Sequence, residues 1–379
     1  MKILTISNYF PNHPGGIEFV ALNLTYRWRK RHHVRWVACD VSTPRYENSK
    51  DDIPLTAWNI TETRFGFPYP IPTISSITTI TKLVKWSDIV HLHDCLYLAN
   101  IIAFIASLIY SKPIVITQHV GLVTYREKAK MALQLLAYRL IGFPILKRSS
   151  LVIFVNPRVQ EWFEKSIKIR QSSLLPNGVD AQIFRPPVDG ERETARAKLG
   201  LSTNEMLFLF IGRFTQKKGI QLIKEIAISR PKHRWIMIGN GDVNVSGWNL
   251  PNVSVLSPQS QIQLREFYIA ADIFILPSTG EGFPLAVQEA LSCGLPSAVS
   301  EETAESMPNA PLIPLNVSSL PQMLQTLDEL AESANARKRL QVASRDFAKQ
   351  WDWEVTARKY EELFINVLDA AKAKLTDHD

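Results

Sequence analysis

The chain has 379 residues, 46% apolar and 21% charged, proportions of a folded globular protein with room for two domains. No run matches the ~20 apolar residues of a membrane-spanning helix. The best, Leu96 to Tyr110, is interrupted by Asn100 and Ser107 and reads as a buried helix of an α/β layer. The net charge of +7 is uneven: residues 1–180 hold 22 Lys and Arg against 12 Asp and Glu, or +10, and the remainder carries −3. That bias fits an anionic partner, such as a membrane surface or a phosphorylated acceptor, or a solvated basic surface. No nucleic-acid-binding motif is present. Cys39, Cys95 and Cys293 lie in apolar settings without metal-ligand spacing and read as reduced core residues of a cytoplasmic protein.

Short β-branched runs alternate with helical patterns along the chain. Met1 to Ser7 has a strand pattern, not that of a signal peptide. Predicted strands are Lys2–Ser7, Val34–Ala38, Ile89–His93, Ile114–Gln118, Leu151–Val155 and Ser173–Leu175, followed by Met206–Ile211, Arg234–Ile238, Val253–Leu256, Ile273–Pro277 and Ser297–Val299. Strands separated by helices imply parallel sheets covered on both faces. Eleven exceed one comfortable sheet, so the α/β chain is expected to form two Rossmann-like halves. A boundary falls after Pro176-Asn-Gly-Val-Asp180, and the turn-rich run 184–190 precedes a helix at Glu191–Leu199. Helices run from Leu320 onward with a break at Trp351-Asp-Trp353. The expected domains are 1–180 and 181–352, with a closing helix in 353–379.

Several constellations could carry chemistry. Pro14-Gly15-Gly16-Ile-Glu18 follows the first strand and fits either a glycine loop over a ligand or a turn. His91 and His93 alternate at a strand end and point to one side; with only Asp94 as a third candidate ligand, a packing role is expected. His119 ends its strand facing the crevice of such a fold. Arg213, after Gly212, and Lys218 could converge on a diphosphate at the C-terminal sheet edge, or lie in a solvated loop. Gly239 and Gly241 permit close backbone approach, or a plain turn. Glu281-Gly282-Phe283-Pro284-Leu285 leads from a strand into a helix carrying Glu289. Pro284 suits the first helical turn, where free N–H groups near Phe283 to Leu285 would meet an anion. The basic, apolar helix within Tyr125 to Arg148 is expected to dock on anionic lipid or to be a core helix with a solvated side.

In their shared order and spacing these motifs resemble the glycosyltransferase family 4 group of retaining GT-B enzymes. They include Asp88-Ile-Val-His-Leu-His93, Thr117-Gln-His119, Leu175-Pro-Asn-Gly-Val-Asp180, Ile238-Gly-Asn-Gly241 and the Trp353-Glu354 to Tyr360 segment. The resemblance implies two Rossmann-like domains with parallel sheets facing across a cleft, the last helix crossing back to the first domain. Glu289 should hold the ribose of a nucleotide diphosphate sugar donor. Arg213 and Lys218 should neutralise its diphosphate. Glu281 and the backbone from Gly282 to Leu285 should position sugar and phosphate, His119 should sit near the anomeric centre, and Gly16 near the diphosphate and acceptor. Gly212 and Gly239 belong to the same donor set. No metal is expected. The acceptor would be a glycan or a lipid-linked glycan in bacterial surface polysaccharide assembly, with the enzyme cytoplasmic and peripheral at the inner membrane face. A GT-B sugar epimerase and a non-catalytic nucleotide-sugar-binding protein are the alternatives. The run Ser297 to Glu305 departs from the family's glycine-rich turn, which puts donor-sugar contacts there in question.

Overall fold

The computed structural model describes all residues except 14–15, 42–48, 66–68, 123–127, 203–204, 280–282 and 377–379, and leaves the side chains of 63, 65, 128 and 374–376 undescribed. The chain forms two compact units, Met1–Gly178 with Trp353–Asp379, and Val179–Asp352.

The first unit runs β1 (Lys2–Tyr9), α1 (Gly16–Trp28), β2 (His33–Cys39), β3 (Asp52–Leu55), a small hairpin of β4 (Ala57–Trp58) and β5 (Ile71–Pro72) around α2 (Ile60–Phe65), α3 (Ile74–Trp86), β6 (Ile89–His93), α4 (Leu98–Ile109), β7 (Ile114–Gln118), α5 (Lys128–Ala137), a π-helical turn (Tyr138–Gly142), α6 (Phe143–Arg148), β8 (Leu151–Phe154), α7 (Pro157–Ser166) and β9 (Ser172–Leu174). The sheet is parallel, in the order β3-β2-β1-β6-β7-β8-β9. Its side chains alternate between two cores. Leu4, Ile6, Val90 and Leu92 face α3, α4 and α6. Ile3, Ile89 and Val115 face α1 and the C-terminal helix, Trp353–Thr376. That helix is stitched to α1: the Trp28 indole donates to Ala357 O at 3.0 Å, and Arg31 pairs with Glu354 and Glu361. Gly178 passes so near Trp353 that a Cβ would lie 2.6 Å from its indole.

The second unit runs α8 (Glu191–Lys198), β10 (Leu207–Ile211), a 3-10 turn (Gln216–Lys218), α9 (Ile220–Ser229), β11 (Arg234–Ile238), β12 (Val253–Leu256), α10 (Gln261–Ala270), β13 (Ile273–Leu276), α11 (Leu285–Ser292), β14 (Ser297–Ser300), α12 (Glu301–Ser306), β15 (Leu312–Leu315), α13 (Leu320–Glu332) and α14 (Ala334–Ala348). Its six strands are parallel, in the order β12-β11-β10-β13-β14-β15.

Two parallel sheets are thus observed, as the strand pattern predicts. Four strands escaped the sequence reading: β4 and β5 of the small hairpin, and β3 and β15, which are edge strands of the two parallel sheets carrying a proline, Pro54 and Pro314. Proline cannot donate to a ladder and is confined to such edges, so it masks them in a pattern search. The region expected to be a buried helix at Leu96–Tyr110 is corrected: α4 is half exposed, with Ile105 at 52% and Ile109 at 70%. The stretch Ala129–Arg148 is corrected too. As a continuous 20-residue helical segment, it is long and apolar enough to cross a membrane by length and composition, although its basic residues disguise this in sequence.

Candidate active site

In the first unit the candidate residues gather at the C-terminal ends of β1, β6 and β7, the edge where parallel α/β sheets take ligands. Gly16 begins α1, and a Cβ there would meet nothing within 4 Å, so protein packing does not demand glycine. Glu18, in the first turn, is 5% exposed, and burial raises its pKa to about 7.

His119 follows β7 directly and is half-buried. Its Nε2 lies 2.9 Å from His93 Nδ1, and the rings stack at 19°. Burial lowers the His119 pKa to about 3 and holds His93 well below its ordinary value, so both imidazoles are neutral near pH 7 and share one hydrogen bond. His91 points to the same sheet face as His93 and is wholly buried against Trp28, Tyr360 and Phe364, with Nε2 2.7 Å from Thr117 Oγ1. The pair therefore packs, and no cluster with metal-ligand spacing occurs among the described residues.

The residue that organises this edge is Asp94, which the sequence offers only as a third candidate metal ligand. Asp94 is 5% exposed and adopts φ +67°, a left-handed backbone that Asp and Asn tolerate better than most residues. Its Oδ1 accepts from Gln118 Nε2 at 2.6 Å, His119 N at 3.1 Å and Val120 N at 3.4 Å. Asn100 donates to the carbonyls of His93 and Asp94, fixing the strand end from below. Burial lifts the Asp94 carboxyl to about 7, and its Oδ2 is buried with no hydrogen-bond partner among the described residues. A polar residue directly after a strand was the only available signal. A second missed cluster lies at the end of β1, where Glu62 accepts from Tyr9 Oη and Asn59 Nδ2, both at 2.9 Å, and lies 3.0 Å from His13 Nε2.

In the second unit the candidates lie at the C-terminal ends of the adjacent strands β10, β11 and β13. Arg213 is exposed, and its guanidinium makes no hydrogen bond or ion pair among the described residues. Lys218 ends the 3-10 turn, and the neighbouring backbone meets the loop after β13: Thr279 N donates to Lys217 O at 2.9 Å. Gly219, at φ +69°, passes so close that a Cβ would lie 2.2 Å from Pro277 O. Gly239 is required by similar packing, since its Cβ would lie 2.0 Å from Gly212 O. Gly212 itself has φ +156° and donates its N–H to Ile238 O.

Pro284 occupies the cap position before α11, with ψ 116°, rather than the first helical turn expected for it; Leu285 is the first helical residue. The first main-chain N–H groups bonded back within the helix are those of Val287 and Gln288, both to Pro284 O. The N–H groups of Leu285 and Ala286 therefore form the open end of the helix. Phe283 is half-buried, edge-on against Trp351 at 5.7 Å. Glu289 lies one turn inside, where its Oε2 accepts from Tyr268 Oη at 2.8 Å. Burial raises the Glu289 carboxyl to about 7, and the Tyr268 hydrogen bond opposes that shift. Glu281 and Gly282 lie outside the described residues. The run after β14 is not a loop: Ser300 caps α12, accepting from Thr303 N.

A family model for Glycosyltransferase Family 4 matches residues 14–183, and one for Glycosyl transferases group 1 matches residues 191–305. The chain belongs to this glycosyltransferase family. D-inositol 3-phosphate glycosyltransferase from Segniliparus rotundus is 30% identical over 206 residues, 48% of this chain and 44% of that protein. TuaC from Bacillus subtilis, a glycosyltransferase assigned provisionally to teichuronic acid biosynthesis, is 30% identical over 168 residues, 41% of this chain and 40% of its own. The matched stretches span less than half the length of these relatives. The Anabaena HepE structure in complex with UDP-glucose superposes with a TM-score of 0.74 at 16% identity, covering 97% of this chain and 100% of that one. The fold is GT-B.

Proposed function

We propose that this family 4 protein transfers a sugar from a nucleotide diphosphate sugar to a glycan or lipid-linked acceptor, with retention at the anomeric carbon. The observation that carries this reading is the second unit's sheet edge. An exposed Arg213, unpaired among the described residues, shares it with Lys218 and the open N–H end of α11, and Glu289 stands one turn behind. Cleavage of the donor bond moves negative charge onto the leaving diphosphate. Fixed cations and helix N–H groups aimed at that charge lower the barrier without reorganising. In this reading Glu289 accepts from ribose hydroxyls, and Gly212 and Gly239 shape the floor. Glu281 and the backbone of Gly282, Phe283, Pro284 and Leu285 are assigned to positioning the transferred sugar and the phosphate. Gly16 is assigned to the loop that serves the diphosphate and acceptor. His119, neutral at working pH, donates or accepts a hydrogen bond near the anomeric centre. Arg213 and Lys218 take the part a metal ion would play, so the reaction is expected to proceed without one.

Retention is assigned to front-side transfer, in which the leaving phosphate takes the acceptor proton. Bacterial surface polysaccharide assembly is the proposed setting, a role that the name of TuaC supports. The cytoplasmic enzyme would dock peripherally through Lys128–Arg148 at an anionic inner membrane face. The test is product analysis with UDP- and GDP-sugars, with and without acceptor and with and without chelator. A glycoside of retained configuration, formed under chelation, is expected. Sugar isomerised without acceptor would point instead to an epimerase, and nucleotide binding without turnover to a non-catalytic binder.

A further inference from the structure

We infer that α4 is a membrane-inserting element, and that its aliphatic outer face forms one lipid-binding platform with the basic helix α5–α6. This deepens the peripheral-membrane reading above and rests on it for α5–α6, but not for α4.

The inference starts from the way α4 is turned. Its only polar side chains, Asn100 and Ser107, are wholly buried. Asn100 is held by the carbonyls of His93 and Asp94, and Ser107 donates to Ala103 O at 2.7 Å. The outward positions are instead Ile105 at 52% exposure, Leu108 at 49% and Ile109 at 70%, and the helix carries no charge. A helix facing water places its polar residues outward. This one does the reverse, and the Asn100 bonds to His93 O and Asp94 O, outside the helix, fix its rotation.

The neighbouring segment repeats the pattern. Leu133, Leu136 and Leu140 are 62%, 51% and 66% exposed. Helix α4 links β6 to β7, and α5–α6 links β7 to β8; these strands are adjacent, and both helical segments pack into the same core. The two exposed aliphatic faces therefore belong to one side of the first unit. Exposed aliphatic residues gathered on one side of a domain mark a docking site.

Charge decides the occupant. Exposed Arg139, Lys147 and Arg148 flank the leucines, and no Asp or Glu occurs from Lys128 to Gln160. A symmetric contact with a second copy would set these cations against themselves. Anionic headgroups complement them, and acyl chains take the isoleucines. The helix lies on the bilayer rather than across it, because Tyr138, Ile145 and Leu146 are anchored in the protein core.

The test labels Ile105→Cys with an environment-sensitive fluorophore, with Val342→Cys on the second unit as reference; the three native cysteines are buried. Phosphatidylcholine vesicles with and without phosphatidylglycerol are the probes. Position 105 should shift to the blue on anionic vesicles, and position 342 should not. Ile105→Ser/Ile109→Ser should weaken vesicle partition at least tenfold and leave nucleotide binding unchanged. Binding that ignores this pair but falls with Leu133→Ser/Leu136→Ser would overturn the role of α4 alone. No binding to any vesicle would sink both readings. So would a dimer in sedimentation velocity that the α4 substitutions disperse.

Discussion

Asp94 Oδ1 receives the main-chain N–H of His119 at 3.1 Å, so a carboxyl at the end of β6 fixes the candidate histidine at the end of β7. Asn keeps an acceptor at that atom and tolerates the left-handed backbone. Asp94→Asn should therefore cost less than about 1 kcal/mol of stability. Asp94→Ala strands three donors and strains the turn, a loss of about 2–4 kcal/mol. Denaturant unfolding followed through the first unit's tryptophans measures both, and equal losses would show that the acceptor is irrelevant.

Glu289 gives a pH signature. Its folded pKa of about 7 lies above its ordinary 4.5. Its contribution to stability is therefore fully present below pH 4.5 and lost as pH rises through 7. Wild type should lose melting temperature between pH 5 and 8 relative to Glu289→Gln. If the carboxylate grips ribose hydroxyls, affinity for a nucleoside diphosphate should climb over the same window in wild type and stay flat in the glutamine variant. Calorimetry at pH 6 and pH 8 reads the difference.

Arg213 and Lys218 should separate catalysis from folding. Arg213 is exposed and unpaired among the described residues, so Arg213→Ala should shift stability by under about 0.5 kcal/mol. It should lower kcat/KM about 100-fold or more, as loss of one preorganised partner of a developing anion does. Lys218→Ala is expected to act in the same direction. Steady-state kinetics beside a melting curve decides the matter, and wild-type turnover in Arg213→Ala would remove the proposed site.

Two glycines should respond oppositely to alanine. At Gly16 a Cβ meets open space, so Gly16→Ala should fold normally and raise KM for donor or acceptor. At Gly239, where φ is +152°, the same atom would lie 2.0 Å from Gly212 O. Gly239→Ala should unfold the second unit or fail to express. Soluble yield and KM for the two variants together test whether each glycine serves ligand or fold.

What the chain disclosed of itself follows physical lines. Central strands were legible because burial on both faces demands continuous apolar runs, as in Leu207–Ile211. The edge strands Asp52–Leu55 and Leu312–Leu315 were not, because edges accept proline and charge. Glu289 could be singled out as a carboxylate inside a helix after a glycine turn. Its partner Tyr268 could not, for that contact is made between two helices in space. The outward turn of α4 was hidden for a related reason: Asn100 and Ser107 look like surface residues until their buried hydrogen bonds are seen.

The C-terminal helix carries a consequence for biosynthesis. Trp353, Ala357, Tyr360 and Phe364 share one face of the first unit's sheet with Val20, Leu24 and Trp28 of α1, against Ile3, Ile89 and Val115. A ribosome delivers those residues only after the whole intervening unit has emerged. The earlier-made half must wait with part of that face uncovered while the later-made half completes its own core, so the first unit of a nascent chain should finish folding after the second.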